Sequence, residues 1–271
     1  MKKRLAFWVC IFCLICVCAQ AVGQEMKITF FQVEKADMFL LQTENSVVVI
    51  DTGKDSAGKM LVEHLEKEGI AHVDMLFITH FDKDHVGGAD TLLSEVSVGY
   101  VFEPDYAKES KQVTQYRQAL AKNGAALLVL SENYSIELDG VQYLVDVANS
   151  SYYGDDEEND FSLVISMTYD GTRLLFTGDA ENPRLKELIF EGDLKHDILK
   201  VPHHGRWEKS SAAFFAAVQP RYSIITSDDK EPEDQAVVDL LTAQGSEVFL
   251  TRQGMVVCTI RDGSIAFTQE R

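Results

Sequence analysis

A layered α/β fold is what this 271-residue sequence predicts, and three observations carry the prediction. Short apolar runs of strand length recur along the chain. Between several of them lie longer segments whose apolar residues return at helical spacing. Three of the runs stop abruptly at His or Asp, so a polar site is expected where strands end. With 46% hydrophobic residues there is ample material for a packed core, in one large domain or two modest ones.

In chain order, Met1-Lys2-Lys3-Arg4 precedes an almost unbroken apolar run over residues 5–17, then small residues at Ala19, Ala21 and Gly23. This is the pattern of a secretory leader over residues 1–23, leaving 24–271 as the mature domain. Cleavage after Ala21 or Gly23 is expected, with an uncleaved membrane anchor as the alternative. Either way the protein is exported, to the periplasm or beyond. Ile15-Cys16-Val17 ahead of Cys18 lacks the small residue that a lipidated Cys requires. Cys10, Cys13, Cys16 and Cys18 all lie in the leader, so only Cys258 remains and no internal disulfide can form. Its setting, Met255-Val256-Val257-Cys258, reads as a buried strand.

Three strands follow, over 27–31, Met38–Gln42 and 46–50, ending at Asp51-Thr52-Gly53. Residues 58–68 carry Met60, Leu61 and Leu65 at helical intervals and lead to the strand 75–78. Beyond come a helix starting at Ala89, a strand over 98–102, a helix over Lys111–Asn123 closed by Gly124, and a strand over 125–130. Asp139-Gly140 then joins Tyr134–Leu138 to 141–147 as a hairpin. Residues 149–160 have loop composition throughout, and read either as a solvated acidic segment or as a flap whose Tyr152 and Tyr153 line a cleft. Strands over 161–169 and 173–176, a helix over 183–190 with Pro183 in its first turn, and a strand into 197–205 follow. The remainder reads helix 210–218, strand 222–226, helix 234–244, and strands Glu247–Leu250, 255–260 and 265–268. His64, His72 and His196 read as surface or capping residues.

The densest chemistry is Thr79-His80-Phe81-Asp82-Lys83-Asp84-His85-Val86-Gly87-Gly88, a strand-to-helix loop. Imidazole suits zinc and similar ions, carboxylate suits harder ones, and one turn can aim such side chains at a common point. Thr177-Gly178-Asp179 and Val201-Pro202-His203-His204-Gly205 end two later strands in the same way.

These motifs resemble the metallo-β-lactamase superfamily, whose HxHxDH signature is matched by residues 80–85 with Asp82 where the second His usually stands. Val-Pro-His-His-Gly is similar to the branch that includes the hydrolase domain of the competence protein ComEC. The resemblance implies a four-layer αββα sandwich with a metal cleft where two similar halves meet. It implies one ion held by Asp84, His85, a bridging Asp179 and one of His203 and His204, the other of that pair contacting substrate or donating a proton. A second position would use His80, Asp82 and Asp179, with Asn159 or water where relatives place a third His. Asp51 would orient a ligating His from behind, or else merely close its turn. The expected cofactors are one or two divalent ions, zinc or manganese, with magnesium possible. Asp82 or Asp84 would orient a metal-generated hydroxide.

The implied reaction is hydrolysis of a phosphodiester. The alternatives are hydrolysis of a carboxyl ester, thioester or lactam, or metal binding without catalysis. The net charge of −18, −21 once Lys2, Lys3 and Arg4 are lost, argues against stable binding of duplex DNA. A small or single-stranded substrate fits that charge, and only the leader would engage a membrane.

Overall fold

A computed structural model describes residues 25–154 and 158–270; the leader read over 1–23 and its four cysteines lie outside them. The first half runs β1 (Glu25–Phe30), β2 (Met38–Gln42), β3 (Val47–Thr52), α1 (Asp55–Lys67), β4 (His72–Phe77), α2 (Ala89–Glu95), β5 (Ser97–Pro104), α3 (Lys111–Asn123) and β6 (Ala126–Leu130). The second half runs β7 (Tyr134–Leu138), β8 (Val141–Asp146), a 3-10 turn (Glu158–Phe161), β9 (Val164–Tyr169), β10 (Thr172–Phe176), α4 (Asn182–Glu191), β11 (Ile198–Lys200), α5 (Ser211–Val218), β12 (Tyr222–Ile225), α6 (Gln235–Ala243) and β13 (Glu247–Leu250). The hairpin β14 (Met255–Arg261) and β15 (Ser264–Glu270) then returns to the first sheet.

One sheet has the order β15-β14-β1-β2-β3-β4-β5-β6, the other β13-β12-β11-β10-β9-β8-β7. Alternation decides how they stack. In β3, Val48 and Ile50 face the second sheet while Val49 faces the helices, and in β4 Met75 and Phe77 point one way and Leu76 the other. Both faces are buried, which is why these strands read as unbroken apolar runs. Phe30, Phe77, Phe102, Tyr143, Ile165 and Phe176 fill the space between the sheets. Leu61, Leu65, Leu92 and Tyr116 pack α1–α3 on the first sheet, and Leu185, Phe214, Phe215 and Leu241 pack α4–α6 on the second. Each such side chain, fully buried, stabilises the fold by ~1.5–3 kcal/mol. The expected αββα sandwich is what results. Cys258 is buried between the sheets, and burial pushes its thiol up to about 12.

Local signals set the helix ends. Ser110 Oγ accepts from Val113 N at 3.1 Å to start α3, and Gly124, at φ 85°, closes it. The helix expected from residue 58 begins instead at Asp55, and Gly58 lies inside it because a Cβ there would come within 2.8 Å of the Gly88 carbonyl oxygen. The strand expected from residue 161 begins at Val164. Ser162 N donates to Asn159 O at 3.0 Å and Leu163 N to Thr79 O at 2.9 Å, so this stretch closes a turn and ties the two halves together. Within the segment read as a loop or flap, Tyr153 packs edge-on to Phe161 and donates to Glu187 at 2.8 Å, which anchors it to α4. His196 is buried, not a surface residue: its Nδ1 meets Leu194 O at 2.9 Å and its Nε2 meets Ser166 Oγ at 2.7 Å. Among the described residues no helix is long and apolar enough to cross a membrane.

Candidate metal centre

Four strand ends converge on one cleft. β3 delivers Asp51, β4 the loop with His80, Asp82, Asp84 and His85, β10 Asp179, and β11 the pair His203 and His204. The β1–β2 connection adds Asp37. Buried apolar strands fix where each chain emerges, and the polar residue that follows inherits that fixed position.

His85 shows how its ring is set. Asp51 Oδ2 stands 2.8 Å from His85 Nδ1, and the Asp51 carboxylate also accepts from Thr79 N at 2.8 Å and Thr79 Oγ1 at 2.6 Å. The ring therefore carries its Nδ1 proton toward Asp51 and turns Nε2 to Asp179 Oδ1 at 3.3 Å. His204 is set in the same way from the other half: Nδ1 lies 3.0 Å from the Thr226 carbonyl, and Nε2 faces Asp179 Oδ2 at 3.1 Å and Asp84 Oδ2 at 3.7 Å. Asp51, His203 and His204 all hold left-handed backbone, at φ 53°, 46° and 53°, a cost of ~1–3 kcal/mol each that the surrounding packing sustains. Gly178 makes room at the third corner, since a Cβ there would lie 2.7 Å from Ser162 Oγ, the hydroxyl that accepts from Asp179 N at 3.1 Å.

The nitrogen atoms of His80, His85 and His204 that face the cleft, all Nε2, and Asp179 Oδ1 are buried without a hydrogen-bond partner. Lone pairs facing lone pairs require a cation or a shared proton between them. Asp84, His85 and His204 offer donor atoms within 4.8 Å of one another, and His80, His85 and Asp179 do so as well. This oxygen-and-imidazole set fits a divalent ion. Electrostatics agrees. Burial alone would lower His85, but Asp179, Asp51 and Asp37 outweigh it and raise the imidazole well above its ordinary value. Burial would raise Asp179, but His204 and His85 hold it well below the usual carboxylate range. His80, buried and beside His85, is lowered to about 4 and stays neutral.

Other residues singled out in the sequence stand apart. Asp82 is turned toward Lys108, whose Nζ is 2.5 Å from Asp82 Oδ1. Asn159 Nδ2 donates to Glu181 Oε1 at 2.8 Å. His203 faces Glu181, with Nδ1 at 3.2 Å from Oε1, and its Nε2 lies 4.0 Å from Asp179 Oδ2. Of the paired histidines, His204 is therefore the one that converges with Asp84 and His85.

The sequence reading missed a buried layer behind the donors. Lys200 is fully buried, pairs with Asp37, donates to Gly178 O at 3.0 Å and lies 3.6 Å from Asp179 Oδ1. Asp37 also accepts from Thr226 Oγ1 at 2.6 Å and stands 3.5 Å from His204 Nδ1 and 3.8 Å from His85 Nδ1. The available signal was a lysine inside the apolar run Ile198-Leu199-Lys200-Val201.

Two sheets whose strand ends present carboxylates and unpartnered imidazoles to a shared cleft define a class, that of proteins built around a divalent-metal centre. Residues 33–226 match the Metallo-beta-lactamase superfamily, and the chain belongs to it. The chain is similar to ComE operon protein 3 of Bacillus subtilis, with 30% identity over 207 residues that make up 72% of this chain and 25% of the relative. It is also similar to Competence protein ComA of Neisseria gonorrhoeae, with 25% identity over 75% of this chain and 27% of the relative. Both are ComEC-like, which bears out the branch read from Val-Pro-His-His-Gly. The chain spans about a quarter of the length of these curated relatives. In fold it matches the metallo-β-lactamase fold protein YhfI of Bacillus subtilis, with a TM-score of 0.58 at 11% identity over 89% of this chain and 99% of that one.

Proposed function

We propose that this protein is an exported phosphodiesterase that cleaves a small or single-stranded phosphodiester with a divalent ion held by Asp84, His85, Asp179 and His204. The observation that carries the reading is the convergence of those donors, with buried, unpartnered Nε2 atoms on His85 and His204, beside an open polar cleft. That cleft, of about 590 Å³, is lined by three lysines, Lys35, Lys54 and Lys83, and by four carboxylates, Asp55, Asp82, Asp84 and Glu231. In a chain of net charge −18, Lys35 is paired with Glu231 and Lys54 with Glu34, so the attraction for a phosphate in this reading comes chiefly from the divalent ion.

When bound, such an ion supplies a nucleophile at neutral pH by lowering the pKa of water from ~16 to ~7, and polarises the phosphoryl oxygen. The chain's own residues do the rest. Asp51 and Thr226 fix the rings of His85 and His204, so the donors keep their places without ligand. Lys35 and Lys54, paired with Glu231 and Glu34 in the free protein, would exchange those carboxylates for phosphate oxygens left free of the ion. His203 stands at the rim of a second lobe of about 500 Å³ with Arg206 and Trp207; burial lowers its pKa, so it would meet a leaving group there as a neutral imidazole and hydrogen-bond it through the ring. The leader read over 1–23 gives the exported location in this reading.

The test is turnover of bis-p-nitrophenyl phosphate by the purified protein, stripped of metal and then given manganese, zinc or magnesium separately. Metal-restored cleavage is expected, with manganese or zinc most effective. Metal binding without turnover of this diester, or of an ester, thioester and lactam panel, would leave a binding protein in its place.

A further inference from the structure

The donor set of this centre is complete on one side and interrupted on the other. His80 presents a buried, unpartnered Nε2, yet the carboxylate that the sequence pairs with it, Asp82, is already taken. Lys108 Nζ lies 2.5 Å from Asp82 Oδ1 and is in still closer contact with Glu158 Oε2. Asn159 is held through its Nδ2, which donates to Glu181 Oε1 at 2.8 Å. No group capable of holding a metal, among the described residues, includes Asp82 or Glu158.

The position of Lys108 is built into the fold. It sits three residues short of α3, in a connection pinned by Tyr106. The Tyr106 hydroxyl accepts from Phe81 N at 2.7 Å, and its ring stacks on Phe161 at 4.8 Å with the planes 19° apart. Phe161 ends the 3-10 turn that Glu158 begins. The aromatic stack therefore fixes both Lys108 and the Glu158 that receives it, while Asp82 is fixed by the β4 loop. An ammonium held between one carboxylate from each half occupies one oxygen of each and repels a dication placed beside it.

We propose that the Lys108 ammonium is this centre's second cation, so that the protein binds one divalent ion per chain and uses lysine where two-metal relatives of the fold use metal. The proposal rests on the reading of the Asp84, His85, Asp179 and His204 cluster as a metal centre. It assigns Asp82 and Glu158 to lysine binding, and gives the cleft a cation that is present whether or not metal is bound. A phosphoryl oxygen entering from the Lys35 and Lys54 side would meet the ion on one flank and the ammonium on the other.

The experiment counts manganese bound per chain, by equilibrium dialysis and elemental analysis of the purified full chain, for the wild type, Lys108→Met, Lys108→Arg and Lys108→Met/Asp82→Asn. The expected counts are one, two, one and one. Removing the ammonium frees Asp82 and Glu158 beside His80, a guanidinium keeps them occupied, and neutralising Asp82 removes the released ligand. Two ions in the wild type, or a count for Lys108→Met that stays at one, would overturn the proposal. Neither result depends on what the enzyme cleaves: absence of diester turnover in a wild type that holds one manganese would sink the phosphodiesterase reading and leave the count standing.

Discussion

Lys200 and Asp37, both completely buried, form an ion pair directly behind the metal donors and join the two halves of the sandwich. Burial works against both charges, and their mutual attraction, aided by His85 and His204 on the Asp37 side, keeps both ionised. Taking away one partner strands the other charge in the core. Lys200→Met and Asp37→Asn are each expected to cost about 3–5 kcal/mol, and the double variant clearly less than their sum. Urea unfolding of the four metal-free proteins measures the cycle. Simple additivity would show that the pair does not act as a unit.

Asp51, fully buried, governs the orientation of His85 through its Nδ1. Asp51→Asn keeps the side-chain shape but replaces the carboxylate that holds the His85 Nδ1 proton. The expected effect is a loss of about 10–100-fold in manganese affinity, as for other carboxylates behind a ligating imidazole. Fold and melting behaviour without metal should change far less than in the Lys200 variants. Unchanged affinity would reduce Asp51 to a turn residue that supports Thr79.

The strands of this fold and the ends that carry its donors were legible because β3, β4, β10 and β11 are covered on both faces, so each is an apolar run that stops where the cleft begins. The layer behind the donors was not. Asp37 stands in the polar stretch Glu34-Lys35-Ala36-Asp37, indistinguishable from a turn, and its burial comes from the second half of the chain. Lys108 likewise looks like a solvated loop residue until the fold sets it against Asp82 and Glu158. His196 was misread for a related reason, since its two partners lie on another strand and in the preceding loop. Local pattern reveals what a strand end presents, whereas pairing across the sandwich is a property of the folded chain.

His85 and Asp179 meet at the middle of the cluster, and each belongs to a group of donors within 4.8 Å. His85→Ala and Asp179→Ala should reduce metal-dependent hydrolysis to the level of the metal-stripped protein while circular dichroism stays native. His203→Ala, outside that convergence, should leave manganese binding intact and lower turnover. Full activity in either of the first two variants would remove the proposed centre.

The pH dependence of metal binding follows from the contrast between two neighbouring rings. In the metal-free chain His85 is raised well above 6.5, against the lowering effect of burial, by Asp179, Asp51 and Asp37, whereas His80 is lowered to about 4. Binding through His85 Nε2 must therefore expel a proton, while His80 has none to lose near neutrality. Between pH 6.5 and the raised value, manganese affinity should increase by about tenfold per pH unit, with about one proton released in calorimetry run in two buffers. The linked effect on folding has the opposite sign. A raised folded-state value means that protonated His85 contributes stability below 6.5, and that the contribution disappears as pH rises through the raised value. The melting temperature gained on adding manganese should accordingly be larger at the alkaline end of that window. An affinity that is flat or falls with rising pH would show that His85 does not surrender a proton to the metal.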